Sequence, residues 1–263
     1  MKPQLSVVII TYNEADRLPA TLAALEGVAD EIIIVDSGST DGTKAIATAH
    51  PLVRWYERPF DGYGPQKNYA NTLAQGEYIL SLDADEVLSP ELRAAILAVK
   101  GQWKAPLYAV NRLPFYAGHP VQQGGWYPDW KVRLFRRGVA WWDENPLHER
   151  LCWEGHLRVE RLPGHLWHYT YRSVADHWAR TYRYATLLSQ AYAQGMKPVP
   201  SWGNIIARAL WRILKSWLLQ GGWRLGWRGA AIALLGSIVL PLSLILYHSQ
   251  RECASNVKKP TEL

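Results

Sequence analysis

Four short apolar runs recur at roughly even intervals at the start of the chain, "LSVVII" (5–10), "EIIIVD" (31–36), "VRWYER" (53–58) and "YILSLD" (78–83). The first two are rich in β-branched residues and have no polar alternation, as strands buried on both faces should read. The segments between them have a different period. "DRLPATLAALEGV" places Leu18, Leu22 and Leu25 on one helical face, and "STDGTKAIATAH" reads as a second helix start. "PQKNYANTLAQG" reads as a third helix closed by Gly76, and "SPELRAAILAVK" opens with Ser89 and Pro90, a good N-cap and first-turn pair. The order β-α-β-α-β-α-β-α predicts an α/β fold, with a mostly parallel sheet flanked by helices.

In a parallel sheet all strands end on one rim, and ligands bind outside those carboxyl ends. Three of the ends are polar: "TYNE" (11–14), "DSGSTDG" (36–42) and "DADE" (83–86). In an extended segment residues i and i+2 point the same way, so Asp83 and Asp85 can face one ligand. Mg²⁺ takes one or two carboxylates and completes its shell with water and phosphate oxygens, which makes a metal–diphosphate the natural partner. A solvated acidic turn capping the next helix is the bland alternative. A calcium loop is excluded, because Val87 and Leu88 stand at its fifth and sixth positions. No Walker loop and no GxGxxG follows any strand, which removes the main support for P-loop and dinucleotide readings. Asp36 stands at a strand tip, where it could accept from a base N–H or belong to a capping cluster with Ser39 and Asp41.

Together "SVVIITYNEADRL", "IIIVDSGSTDGT" and "GEYILSLDADE" resemble the family 2 glycosyltransferases of the GT-A fold. "QKNYA", "GGWYPDWKVRLFRR", the "HE" pair and "HYTY" bring the likeness closer to the lipopolysaccharide-core β-1,4-glucosyltransferase-like branch. The motifs run in order over residues 4–190. The resemblance implies that Thr11, Tyr12, Asn13 and Glu14 line a nucleoside pocket with Asp36 at the base. It implies that Lys67 sits near the donor, that Asp83 contacts ribose or metal, and that Asp85 binds a divalent metal, Mg²⁺ or Mn²⁺. It further implies inverting transfer, which needs a carboxylate base for the acceptor hydroxyl. Glu149 and Asp129 are both candidates, each with the alternative of merely pairing with Arg133, Arg136 or Arg150. His168 and His148 are possible additions to the metal or phosphate shell. Trp126, Tyr127, Trp130, Trp141 and Trp142 could stack on acceptor sugars or serve as core.

The charge is uneven along the chain. From His177 to Arg251 there is no Asp or Glu but nine Lys or Arg, which leaves 20 basic and 23 acidic residues elsewhere. A basic tail points to nucleic acid or an anionic membrane. "NIIARALWRILKSWLLQ" reads as an amphipathic, Trp-bearing interfacial helix, and residues 229–247 follow without a charge. That run is long enough to span a bilayer, although Pro241 also suits a shallow or re-entrant hairpin. Nucleic acid would leave the run unexplained, so the expected partner is an anionic membrane surface. The resulting expectation is a catalytic domain over 1–195, membrane-associating helices over 196–250 and a polar tail over 251–263. The two cysteines form no framework and suit a reducing compartment. The whole reads as a hexosyltransferase at the cytoplasmic face of the inner membrane, taking a nucleotide-diphospho sugar, in the first instance a UDP-sugar, to a lipid-linked glycan acceptor. A polyprenyl-phosphate glycosyltransferase and a non-catalytic nucleotide-sugar-binding scaffold are the rivals.

Overall fold

The four apolar runs form the strands that their composition predicts. The computed structural model describes residues 4–145 and 149–257, with side chains through Arg251. Strand β1 is Leu5–Thr11, β2 is Glu31–Asp36, β3 is Val53–Glu57 and β4 is Tyr78–Asp83. Every residue of β2 is buried, and β1 is buried at all but Ile10, so both faces are covered. β1 pairs in parallel with β2 on one side and β4 on the other. The register sets Thr11 opposite Asp36 and Ile10 opposite Asp83, which brings the polar strand ends level on one rim.

Helices α1 (Leu18–Ala24), α2 (Thr43–Thr48) and α3 (Tyr63–Leu73) connect these strands, and α4 (Pro90–Val99) follows them. Ser89 caps α4 by accepting from the Leu92 N–H at 3.1 Å, with Pro90 in the first turn as expected. Gly76 does not close α3, which ends at Leu73. A Cβ on Gly76 would come within 2.6 Å of the Ser6 backbone nitrogen, so glycine is needed for close approach to β1.

Beyond β4 the sheet turns antiparallel. The short β5 (Glu86–Leu88) follows the rim, then β6 (Leu107–Tyr116), β7 (His119–Pro120) and β8 (Asp129–Arg136). β9 (Ala140–Trp142) and β10 (Leu151–Trp153) form a separate pair, and β11 is Val159–Tyr171. Among the described residues the main sheet has the order β3-β2-β1-β4-β8-β6-β11-β5, with β7 on β6. The antiparallel β8 lies against β4, and β11 brings His168 opposite Glu86.

The chain divides into two compact units, 1–113 with 128–168, and 114–127 with 169–263. The first unit's main core packs Leu18, Leu22 and Leu25 of the α1 region under Val7, Ile32 and Leu80 of the strands. The second unit is helical: α5 (Val174–Ala193), α6 (Trp202–Ile213) with a π-helical extension Leu214–Leu219, and α7 (Trp227–Val257). Its cores join Tyr192, Ile205, Leu244 and Tyr247, and separately Tyr116, Val121 and Ile232.

Candidate active site

The strand-end carboxylates are met by cations from four other elements. Lys67 on α3 is 2% exposed, rare for a residue whose charge costs so much to bury unpaired. Its Nζ lies 2.9 Å from Asp83 Oδ1 and 2.8 Å from Glu149 Oε1, and 4.4 Å from the Trp142 ring centroid. Arg133 of β8 reaches Asp83 Oδ2 at 2.9 Å and Glu86 Oε1 at 2.6 Å. Arg17, just before α1, lies 3.2 Å from Asp85 Oδ2 and 3.6 Å from Glu14. His168 Nε2 approaches the same Asp85 oxygen at 3.5 Å. Arg112 of β6 links Glu86 at 3.5 Å to Asp129 at 2.7 Å, and Lys131 adds a second contact to Asp129 at 3.1 Å.

Electrostatics follow from this matching. Burial works to raise the Asp83 pKa, but Lys67 and Arg133 outweigh it and hold the carboxyl well below its ordinary 3.8. For Asp85 burial also works upward, and the contact with His168 and the charge of Arg17 reverse it. Asp129 is likewise lowered against the push of burial, by Arg112 and Lys131. Glu86 is fully buried; its second oxygen accepts from the Asp83 N–H at 3.1 Å, so it fixes the backbone of the rim as well as Arg133.

Glu149 is far from Lys67 in sequence, and three local contacts bring it close. Asn68, next to Lys67 on α3, exchanges two 2.8 Å hydrogen bonds with the Trp142 backbone. Gly64 of α3 lies so close to the Asp143 carbonyl that no side chain fits between them. Asp143 then accepts from the Arg150 N–H at 2.8 Å and donates its own N–H to the Arg150 carbonyl at 2.9 Å. Glu149 is thereby held against Lys67. His148 lies outside the described residues.

The other rim loops are cross-tied. Thr11 is buried and donates to Asp36 Oδ1 at 2.8 Å. Asp36 also accepts from the Gly38 and Ser39 N–H groups at 2.8 and 2.7 Å and from the Ser39 hydroxyl at 2.5 Å. All its acceptor capacity is thus engaged, the capping arrangement considered above. Asn13 adopts φ 56°, a left-handed conformation that Asn tolerates, and its side chain accepts from the Thr40 N–H at 2.8 Å. The Glu14 N–H donates to Thr43 at 2.8 Å. Tyr12 remains 60% exposed beside them, a free aromatic face at the strand end.

The structure therefore brings together Glu14, Lys67, Asp83, Asp85, Glu149 and His168, with Thr11, Asn13 and Asp36 on the adjoining loops. Asp129 joins them through Arg112. The expected partners of the base candidates differ from those found: Glu149 takes Lys67, and Asp129 takes Arg112 and Lys131. Of the aromatics, Trp142 is buried under Lys67, Trp126 belongs to a cluster with Tyr116, Tyr171 and His177, and Arg161 covers Trp130 at 4.7 Å. Trp141 keeps an exposed ring. The glycines of "QQGGWYP" meet protein: a Cβ on Gly125 would collide with the side-chain amide of Gln220.

Arg17 and Arg112 were not singled out from sequence, Glu86 entered only as part of the acidic strand end 83–86, and Arg133 only as a possible partner of the base candidates. Arg133 carried a signal, since an arginine between Val132 and Leu134 in a buried strand requires an acidic partner. Among the described residues no group of three His, Cys, Asp or Glu side chains forms a metal cage. A two-carboxylate site for a metal shared with phosphates needs no such cage. Asp85 fits that role, because Arg17 and His168 both contact its Oδ2, on the side away from Oδ1. Asp83, whose two oxygens meet Lys67 and Arg133, fits it once Lys67 turns away.

Residues 6–111 match the family model described as Glycosyl transferase family 2. The lipopolysaccharide core biosynthesis glycosyltransferase LpsC of Rhizobium meliloti is 31% identical over 250 residues, 90% of this chain and 89% of the relative. An uncharacterized glycosyltransferase of Rickettsia bellii is 42% identical over 93 residues, 35% of this chain and 31% of its own. Among solved structures, S. aureus TarS 1–349 in complex with UDP overlaps 97% of this chain and 92% of its own, at 15% identity and a TM-score of 0.48.

Proposed function

The chain belongs to glycosyltransferase family 2, and from that premise we propose that it moves a hexose, with inversion, from a nucleotide-diphospho sugar to a lipid-linked saccharide of the cell envelope. A UDP-sugar is the first donor to try. The observation that carries the reading is one ammonium, Lys67, shared at 2.9 and 2.8 Å between a rim carboxylate, Asp83, and a second carboxylate, Glu149. A buried lysine at the strand ends offers charge to a diphosphate. Turning toward it would free Glu149 for proton transfer.

In this reading Tyr12 stacks on the nucleobase, while Asp36, Thr11, Asn13 and Glu14 shape the nucleoside pocket through the loops they tie. A divalent cation, Mg²⁺ or Mn²⁺, held by Asp85 and Asp83 would neutralise charge on the leaving diphosphate. Lys67 and Arg133 keep Asp83 ionised, Glu86 fixes its backbone N–H, and Arg17 and His168 orient Asp85. Glu149 takes the proton of the acceptor hydroxyl. Asp129, clamped by two cations, serves better as a brace for Arg112 than as a base. The lipopolysaccharide core relative over nearly the whole chain favours an envelope glycan as acceptor. The exposed Trp and Leu side chains of α6, with its lysine and arginines, favour the anionic inner face of the membrane, where nucleotide sugars are supplied.

The experiment is a transfer assay on Glu149→Gln and Asp129→Asn with a UDP-hexose and membrane glycolipid. Glu149→Gln should keep donor affinity and lose about 10²–10⁴-fold in rate, the scale of general-base catalysis. Asp129→Asn should show a milder defect. Near wild-type turnover by Glu149→Gln would reject this assignment, and no turnover of any nucleotide sugar by the wild type would reject the activity.

A further inference from the structure

The long apolar helix of the second unit has a neighbour that decides how it can meet a bilayer. α7 carries a 25-residue stretch, Trp227–Arg251, apolar enough to cross a membrane by length and composition. It does not stand alone. The Trp202 ring at the start of α6 stacks near His248 at the end of α7, with centroids 6.4 Å apart and planes 18° apart. Ile205 packs with Leu244 and Tyr247. Ten residues after Trp202, the Arg212 guanidinium lies 3.5 Å from where a Cβ on Gly236 would project. The start of one helix thus meets the end of the other. Continued through the π-helical turn, 202–219 runs antiparallel along the whole uncharged segment 229–247.

That pairing places Arg208 and Arg212 beside the middle of the segment. A helix rises about 1.5 Å per residue, so the segment would fill a hydrocarbon core if upright. It would then carry both arginines to hydrocarbon depth, and no acidic residue between 177 and 251 is available to pair with them. Such burial is among the costliest in membranes. Laid flat, the same hairpin has no conflict. Leu234, Ile238 and Ile245 form an exposed stripe along α7, opposite the face of Ile232, Ala233, Leu244 and Tyr247 that is buried. Ile206, Leu210 and Leu214 form an exposed stripe on α6, and Arg208, Arg212 and Lys215 are exposed at other positions around it.

We propose that α6 and α7 dock as an in-plane hairpin in one leaflet of an anionic bilayer, with apolar stripes among the acyl chains and basic residues at the headgroups. α7 does not cross, and the chain after it stays on the catalytic side. The inference rests on the reading above that the protein works at a membrane.

Two measurements on full-length protein test it. In a Cys152→Ala variant Cys253 is the sole thiol. A membrane-impermeant maleimide should label it at least tenfold better in sealed inside-out inner-membrane vesicles than in right-side-out ones. Labelling only from the far side, in protein that sediments with membranes, would overturn the in-plane geometry while leaving membrane residence intact. This holds whether the label is at Cys253 (α7 crossing alone) or at a Gln220→Cys placed in the turn between α6 and α7 of a cysteine-free variant (the pair crossing upright). Protein that stays soluble without detergent would defeat the membrane reading, and this inference with it. Second, Leu210→Asp combined with Ile238→Asp should weaken binding to phosphatidylglycerol-containing vesicles by tenfold or more with far-UV circular dichroism unchanged. Undiminished binding would overturn the proposal, since both stripes would then lie outside the bilayer.

Discussion

Arg133 and Arg212 are arginines of the first and the second unit, and the charges around them differ. Arg133 in the first unit is 5% exposed at its side chain and held by Asp83 and Glu86 over the Trp142 ring. Arg212 in the second unit is exposed, rests on the backbone of α7, and belongs to a stretch with no acidic residue. Burial of a cation is stable only when its partners are built in. The first unit meets that condition and thereby positions carboxylates for chemistry. In the second, Arg180 pairs with Asp176 at 3.4 Å, but residues 177–251 hold nine basic residues and no Asp or Glu, which suits a surface that receives anionic headgroups.

The difference is broken most forcefully by neutralising each arginine. Arg133→Met leaves Asp83 and buried Glu86 short of a cation and should cost about 3–5 kcal/mol of stability, the usual penalty for breaking a buried pair. Arg212→Met should change stability by no more than about 0.5 kcal/mol, as exposed substitutions do. Urea titration of the two variants checks both. Equal losses would mean that the two environments are not different in kind.

Acid separates the units next. Burial pushes the His177 imidazole down to about 4, with Arg180 and Arg212 adding to the shift and Asp176 opposing it. Nδ1 lies 3.2 Å from the Tyr116 hydroxyl, and the ring stacks on Tyr171 at 4.1 Å. Between its ordinary 6.5 and about 4 the folded chain binds fewer protons at this site than the unfolded chain, so stability falls as pH falls through that window. The loss should approach about 3 kcal/mol. Asp83, Asp85 and Asp129 have lowered values, so their contribution is complete above the ordinary 3.8 and is lost only as pH drops below it. Denaturation at pH 7, 5 and 4 should therefore show early weakening that His177→Phe removes.

The smallest effect concerns the surface. Arg208→Gln and Lys215→Gln should each weaken binding to anionic vesicles by about 1 kcal/mol at low salt, and by less as salt is raised. Sedimentation with vesicles at two ionic strengths checks this.

These contrasts also mark what the sequence could reveal. β1, β2 and β4 were legible because continuous apolar runs bounded by polar residues leave little choice, and their shared rim follows from parallel pairing. Asp83 and Asp85 were legible because a buried strand has no reason of its own to end in carboxylates. Their cations were not, since Arg17 and Arg133 meet them across 68 and 50 residues and no local pattern encodes such a distance. Lys67 entered only through a family likeness. Glu149 depends on Asn68, Gly64 and Asp143 docking one segment on another, a packing relation with no period. The antiparallel half of the sheet escaped for the same reason: β5 is three residues long and gains its identity from β11.

The central claim is that the rim holds a nucleotide-diphospho sugar through Lys67, Asp83 and Asp85, and thermal stability measures this most directly. Wild-type protein and Asp85→Asn are heated with UDP-sugars and other nucleotide sugars, each with and without Mn²⁺. A donor at a hundred times its Kd should stabilise the wild type by about 2.7 kcal/mol. The stabilisation should require the cation and disappear in Asp85→Asn. Stabilisation that persists in full in Asp85→Asn, or none from any nucleotide sugar, would contradict the account.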